Sequence, residues 1–278
     1  VYVDSTRGSS RIASDKIRAA LDKLKEERVR ADLARRGVDA SVLQPFAINR
    51  INTAPERKRA GFFWGMILGY VILILMFTGG MYPAIDMTAG EKERRTLEAF
   101  LASPVGRSDI VLGKILSVMT AALVTGLLSI ASMFFSFRTA QFGRSPELRA
   151  LTSQMPLDPA TFGQLVLALL PLALMAASIM VAIGVFAKTY KEAQSYLTTL
   201  IFVVLFPAIV GMVPGIEFNA RLALIPIFNV SQLIKTIFLG EVTAATFAVT
   251  FLANAVYSAI AFSIAVRFFR NENVLFRV

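Results

Sequence analysis

The chain has 278 residues, 55% of them hydrophobic and 17% charged, with a mean hydropathy of +0.62 and a formal net charge of +10. So oily a composition reads as a polytopic membrane protein, and its excess of Lys and Arg as basic residues at membrane edges, not as a nucleic-acid-binding surface. Histidine and cysteine are both absent and no G-x-x-x-x-G-K-[ST] loop occurs, which excludes His- and Cys-based catalysis, the usual zinc and haem ligand sets, disulfides and ATP binding by a phosphate loop.

The opening "VYVDSTRGSSR" resembles neither a signal peptide nor a transmembrane start, and the chain is expected to begin partway into a longer protein. Residues 1–60 are polar, unlike the rest. "VYVD" alternates as the end of a strand does. "SDKIRAALDKLKEERVRADLARRG" has helical spacing, with Ser14 as its N-cap and Gly37 just past its end. Ile17, Leu21 and Leu24 give that helix one apolar stripe, with opposite charges at helical spacing elsewhere. "QPFAINRINTA" reads as a second strand. The expectation is a small α/β unit, too short to bury much core alone.

Four apolar runs follow, 61–84, 110–137, 162–187 and 242–266, each long enough to cross about 30 Å of hydrocarbon at about 1.5 Å per residue. A further run, 196–213, is shorter and stops at Pro214-Gly215. Residues 221–240, within "RLALIPIFNVSQLIKTIFLGE", are apolar but broken by Pro226, Asn229 and Lys235, and read as a re-entrant or interfacial segment. The fold class expected is mainly α: a polytopic membrane helix bundle over 61–278, with a small α/β domain over 1–60.

Five crossings put residues 86–109, 188–195 and the tail after Val266 on one face, and 1–60, 138–161 and 215–241 on the other. The first set is denser in basic residues, with Lys92, Arg94, Arg95, Arg107, Lys188, Lys191, Arg267, Arg270 and Arg277. The positive-inside rule places it in the cytoplasm and the α/β domain outside. "RKR" at 57–59, beside the first span on the outer face, runs against that rule.

Between the first two spans lies "GEKERRTLEAFLASPVGRSDIVLGK", residues 90–114. Glu91 with Arg95, and Arg94 with Glu98, are spaced to pair along a short helix, and Leu97, Phe100 and Leu101 fall on one side of it. Pro104 bars Ser103 from helical geometry, Gly106 permits a turn, and Ser108 is placed to N-cap a helix beginning at Asp109. The residues leave two readings of this amphipathic helix, 90–103: one resting among lipid headgroups, and one docking a soluble partner, which the mixed-sign charge favours. Residues 188–193, "KTYKEA", are either a second contact on that face or a basic membrane-edge turn. No span has an Asp or Glu in its interior. Ser117, Thr120, Thr125, Thr198, Asn254 and Tyr257 are candidates for a substrate path, against a role in helix–helix packing. So uncharged a path suits an amphiphile (drug, peptide or lipid) at least as well as a bare cation.

The 90–114 stretch resembles the signature of the type 2 ABC exporter permeases, in which an acidic–basic run, "TLE", "SP" and "LGK" follow in order. "FAKTYKEAQSYLTTL" at 186–200, "IPIFNVSQLIKTIFLGE" at 225–241 and the terminal "NENVLFR" are similar to the sodium-efflux NatB-like branch, and "ADLARRGVDASVLQPFAINRIN" resembles that branch's extracytoplasmic domain. The resemblance implies a non-enzymatic transport subunit of the bacterial or archaeal cytoplasmic (inner) membrane, exporting sodium ions or an amphiphile. ABC ATPase subunits would carry ATP and magnesium, leaving this chain without cofactor or metal, and a second permease chain, identical or not, would complete the pathway among membrane lipid. It further implies that 90–103 is a coupling helix seated in an ATPase groove. Leu97, Phe100 and Leu101 would anchor it, Glu91, Glu93, Arg94, Arg95 and Glu98 would set register, and Lys188 and Lys191 would make a second contact. Such permeases usually have a transmembrane helix ahead of the extracytoplasmic domain, and one is expected to precede residue 1, which would make six crossings. The alternatives are an ion-coupled secondary transporter without an ATPase, which calls for ionisable residues at the membrane midplane, and an intramembrane hydrolase, which calls for a Ser–Lys or paired-carboxylate site.

Overall fold

The computed structural model describes residues 8–37, 56–101, 103–138, 158–211 and 221–271, in two compact units, Val1–Thr53 and Ala54–Val278. In the first unit the described residues form one helix, α1 (Gly8–Arg35). It starts at Gly8, so Ser14 lies within it and not at its N-cap. Its end is as expected: Arg36 N–H bonds back to the carbonyls of Asp32 and Leu33, and Gly37 takes a left-handed φ of 66°. Ile17, Leu21 and Leu24 are exposed. Both expected strands, at 1–4 and 44–54, lie outside the described residues, and among the described residues there is no strand.

The second unit is a helical bundle. Its elements are α2 (Glu56–Ile85), a π-helical turn (Asp86–Gly90), α3 (Glu91–Glu93), α4 (Thr96–Leu101), α5 (Arg107–Arg138), α6 (Pro159–Phe186), α7 (Tyr190–Val210), a 3-10 turn (Leu222–Leu224), α8 (Phe228–Leu239) and α9 (Ala244–Arg270). Among the described residues, five stretches are long and apolar enough to cross a membrane: Lys58–Glu93, Arg107–Ser136, Pro159–Phe186, Tyr190–Val210 and Ala244–Arg270. Helix α6 is apolar all round and is the most buried span, as a helix surrounded by others must be. It packs chiefly on α9, and both helices bury small side chains, Ala173, Ala176 and Ala177 on the one and Ser258, Ala261 and Ala265 on the other. Helix α2 packs on α5, α6, α7 and α8.

Several helix ends differ from those read in the sequence, because caps outweigh the edge of an apolar run. The Thr189 hydroxyl accepts from Glu192 N–H at 3.2 Å and starts α7 at Tyr190 instead of 196, so only Lys188 and Thr189 separate it from the C-cap of α6 at Ala187. The Gly106 carbonyl accepts from the N–H groups of Asp109 (2.9 Å) and Ile110 (3.1 Å), so α5 begins at Arg107 and Ser108 sits in its first turn, not at its cap. Helix α9 runs on to Arg270, with Arg267 and Arg270 in a last turn that favours cations.

Helix α8 has 12 residues, about 18 Å, too short to cross. It lies antiparallel to the first half of α2 and very close to it. A Cβ on Gly65 would come within 2.9 Å of the Lys235 Cα, and Gly61 and Gly69, one turn to either side, meet the Phe238 and Ser231 carbonyls. The spacing of three glycines four apart is what allows the two backbones to touch. At the other end, Tyr257 at the middle of α9 donates its hydroxyl to the Leu224 carbonyl at 2.6 Å. Segment 221–239 therefore runs from the middle of the bundle to the N-terminal end of α2. Its bend is a γ-turn: Phe228 N–H bonds to the Pro226 carbonyl at 2.8 Å, and Ile227 has φ 71° and ψ −54°. That geometry is strained for a β-branched residue.

Candidate functional site

The charged stretch after α2 is not one helix. Pro83, which has no N–H to donate, lies one turn ahead of the π-helical turn, in which Thr88 donates to the Ala84 carbonyl at 2.5 Å and packs against Gly184. One extra residue in a turn rotates all that follows by about 100°. The three residues of α3 then point at three different helices.

Glu91 accepts from Lys114 of α5, whose ammonium also donates to the Met87 carbonyl at 2.6 Å; the two side chains are only 12% and 7% exposed. Lys92 donates to the Val185 carbonyl in the last turn of α6, where helix carbonyls lack partners and a cation is favoured. Glu93 accepts from Tyr190 N–H at 2.8 Å, the first residue of α7, where a helix N-terminus favours an anion. Each charge of Glu91-Lys92-Glu93 thus holds a different helix end.

Beyond it the chain breaks. Arg94 turns back to Asp86, donating to its carboxylate at 2.9 Å and its carbonyl at 3.3 Å, instead of forward to Glu98. That hydrogen bond, and then the charge of Asp86, hold its guanidinium above its ordinary range. Arg95 has φ 60°, which ends α3, and Glu91 pairs with Lys114 and not with Arg95. The expected helix over 90–103 is therefore α3, a left-handed kink, and the six-residue α4. Leu97 is 5% exposed and belongs to the core. Arg94, Arg95, Glu98, Lys188 and Lys191 are exposed, as is Glu93 apart from its bond to α7. Phe100 and Leu101 lie on α4, with side chains outside the described set. Tyr190 N–H bonds to Glu93, which puts the Lys188–Lys191 turn directly beside α3.

The substrate-path candidates do not converge. Ser117 and Thr120 are exposed on α5 and bond back to the carbonyls of Gly113 and Leu116, a habit of hydroxyls that pack and do not coordinate. Thr125 does the same and packs on Gly79. Thr198 is exposed on α7, Asn254 is wholly buried with its amide on the Thr250 carbonyl, and Tyr257 is taken up by Leu224. The residues that sequence reasoning missed are Asp86, Lys92 and Lys114. Lys114 carried a signal, as a cation in the first turns of an apolar helix. Lys92 counted only among the basic residues of the cytoplasmic face, and Asp86 lies just past the end of the first apolar run.

Two comparisons bear on this arrangement. The family described as "ABC-2 family transporter protein" matches residues 4–267. The chain is also 31% identical over 267 residues to the "ABC transporter permease protein NatB" of Bacillus subtilis (strain 168), an alignment that covers 95% of this chain and 68% of that protein.

Proposed function

Because the chain belongs to the ABC-2 family of transporter proteins, as an integral permease of the cytoplasmic membrane, we propose that separate ATPase subunits drive it by docking on the exposed turn at Arg94, Arg95 and Glu98 together with Lys188 and Lys191. The observation that carries this reading is the three-way grip of α3. Glu91, Lys92 and Glu93 hold α5, α6 and α7 at once, so displacement of the adjacent exposed turn moves three helix ends as one body, the kind of rigid element that switching requires. Phe100 and Leu101 supply the apolar anchor of the docking helix. Leu97, being buried, supports it from inside.

In this reading the 91–107 face is cytoplasmic, residues 1–60 are an extracytoplasmic domain, 221–240 is a re-entrant segment, and a second permease chain completes the pathway. The cargo is sodium ions or an amphiphile moving outward. Reconstitution with a candidate ABC ATPase subunit tests the reading. ATP hydrolysis should rise with the permease present, and Glu98→Arg or Lys191→Glu should lower both co-purification of the ATPase and that stimulation by about tenfold. Unchanged co-purification in both variants would sink it. Measuring the stimulation across sodium, peptides and lipids then identifies the cargo.

A further inference from the structure

We propose that the end of the bundle opposite α3 binds the phosphate of an anionic phospholipid, through Lys235 of α8 with Phe62 and Arg59 of α2. Lys235 is 6% exposed, and its ammonium lies 4.6 Å from the centre of the Phe62 ring. Among the described residues it has no carboxylate and no hydrogen-bond acceptor. One carboxylate at this end, Glu241, is engaged by Lys58 at 2.7 Å. A ring face attracts an ammonium but does not replace the three acceptors its N–H groups require.

The surroundings specify what supplies them. Arg59 is exposed and precedes Phe62 by three residues on α2, so both occupy one side of that helix. Helix α2 opens with Glu56, Arg57, Lys58 and Arg59, so with Lys235 and Glu241 this end of α2 and α8 sets four cations against two carboxylates and carries net positive charge. This gives a role to "RKR" at 57–59, the cluster that runs against the positive-inside rule. Lys235 packs level with Gly65, about 6 Å inside the start of the apolar run at 61. Its side chain reaches outward to Phe62, at the edge of that run, as a lysine that snorkels towards the headgroups does. Beside that edge the abundant anion is a phosphodiester, and four cations against two carboxylates favour a lipid with net negative charge over a zwitterionic one. The inference is independent of the ATPase reading.

Trp64, the chain's single tryptophan, lies within one turn of Phe62 on α2, though on another side of the helix, and is the fluorophore that bromine on a bound lipid would quench. In phosphatidylcholine vesicles, brominated phosphatidylglycerol should quench Trp64 with a relative association several-fold above that of brominated phosphatidylcholine. Lys235→Gln and, separately, Arg59→Gln should reduce that preference towards one, and Lys235→Arg should keep it. Equal quenching by the two lipids in the wild-type chain, or an undiminished preference in both Gln variants, overturns the proposal. Inorganic phosphate is the second arm: quenching that it leaves unchanged supports the lipid headgroup, and quenching that it relieves overturns the lipid assignment in favour of a soluble phosphate.

Discussion

The two ends of α2 treat charge in opposite ways. At the α3 end each of Glu91, Lys92 and Glu93 is spent on a neighbouring helix, and Arg94 returns to Asp86. At the α8 end Lys58 has Glu241, while Lys235 has, among the described residues, only an aromatic face. In sequence the first is a conspicuous charge run and the second a lone lysine in an apolar segment, so conspicuousness points the wrong way. The run is largely internal bracing, and the lone lysine is the group left open to a ligand. Buried charge needs a partner to be tolerated. Where the partner is intramolecular the charge is structural, and where none is present it is a candidate for binding.

The contrast is broken or sharpened by substitution, beginning with the largest effect. Removing one member of the Glu91–Lys114 pair, as Glu91→Gln or Lys114→Met, leaves an uncompensated buried group and should cost about 3–5 kcal/mol. Unfolding of the purified protein in detergent measures it. The double variant Glu91→Leu/Lys114→Met should recover most of the loss, and failure to do so would mean the two charges are not a coupled pair. Next comes Leu97→Ala, expected to cost about 2–3 kcal/mol as a core truncation, whereas Glu98→Arg, one residue on, should stay within about 0.5 kcal/mol of wild type and alter only ATPase association. Comparable unfolding of both variants would place Leu97 on the docking surface and not beneath it.

At the other end, Gly65→Ala forces α8 off α2 and should cost about 1–3 kcal/mol as overpacking, with faster hydrogen exchange confined to 228–239. Exchange spread evenly over the bundle would contradict the local contact. The smallest effect is expected from Glu93→Gln. It loses an anion at the N-terminus of α7, typically about 0.3–1 kcal/mol, but should raise exchange at Tyr190 and weaken ATP-driven transport more than it weakens the fold.

Much of this was legible in the residues. The five spans follow from run length and hydropathy, and the α6 core helix from apolarity on every side. The glycines at 61, 65 and 69 were present as a spacing, but nothing in that spacing named α8 as the partner. Capping explains the displaced ends: Thr189 and Gly106 act through one or two hydrogen bonds, which hydropathy windows do not register. The expected i, i+4 pairs at Glu91–Arg95 and Arg94–Glu98 failed because both presume an unbroken helix. The π-turn behind them and the left-handed Arg95 between them remove it.

What the sequence by itself determined is whatever depends on local transfer free energy and length: a membrane protein with five apolar spans, a charged segment between the first two, and a motif order shared with its family. What only the tertiary structure decided is which charges are consumed. Glu91 meets Lys114 across 23 residues, Lys92 meets Val185 across 93 and Glu93 meets Tyr190 across 97. Such pairings depend on where helix ends come together and on a one-residue change of phase in the π-turn. Neither quantity is written in the local pattern, because hydrophobic burial sets which residues enter the membrane, while the direction of each charged side chain is set by the neighbours it finds there.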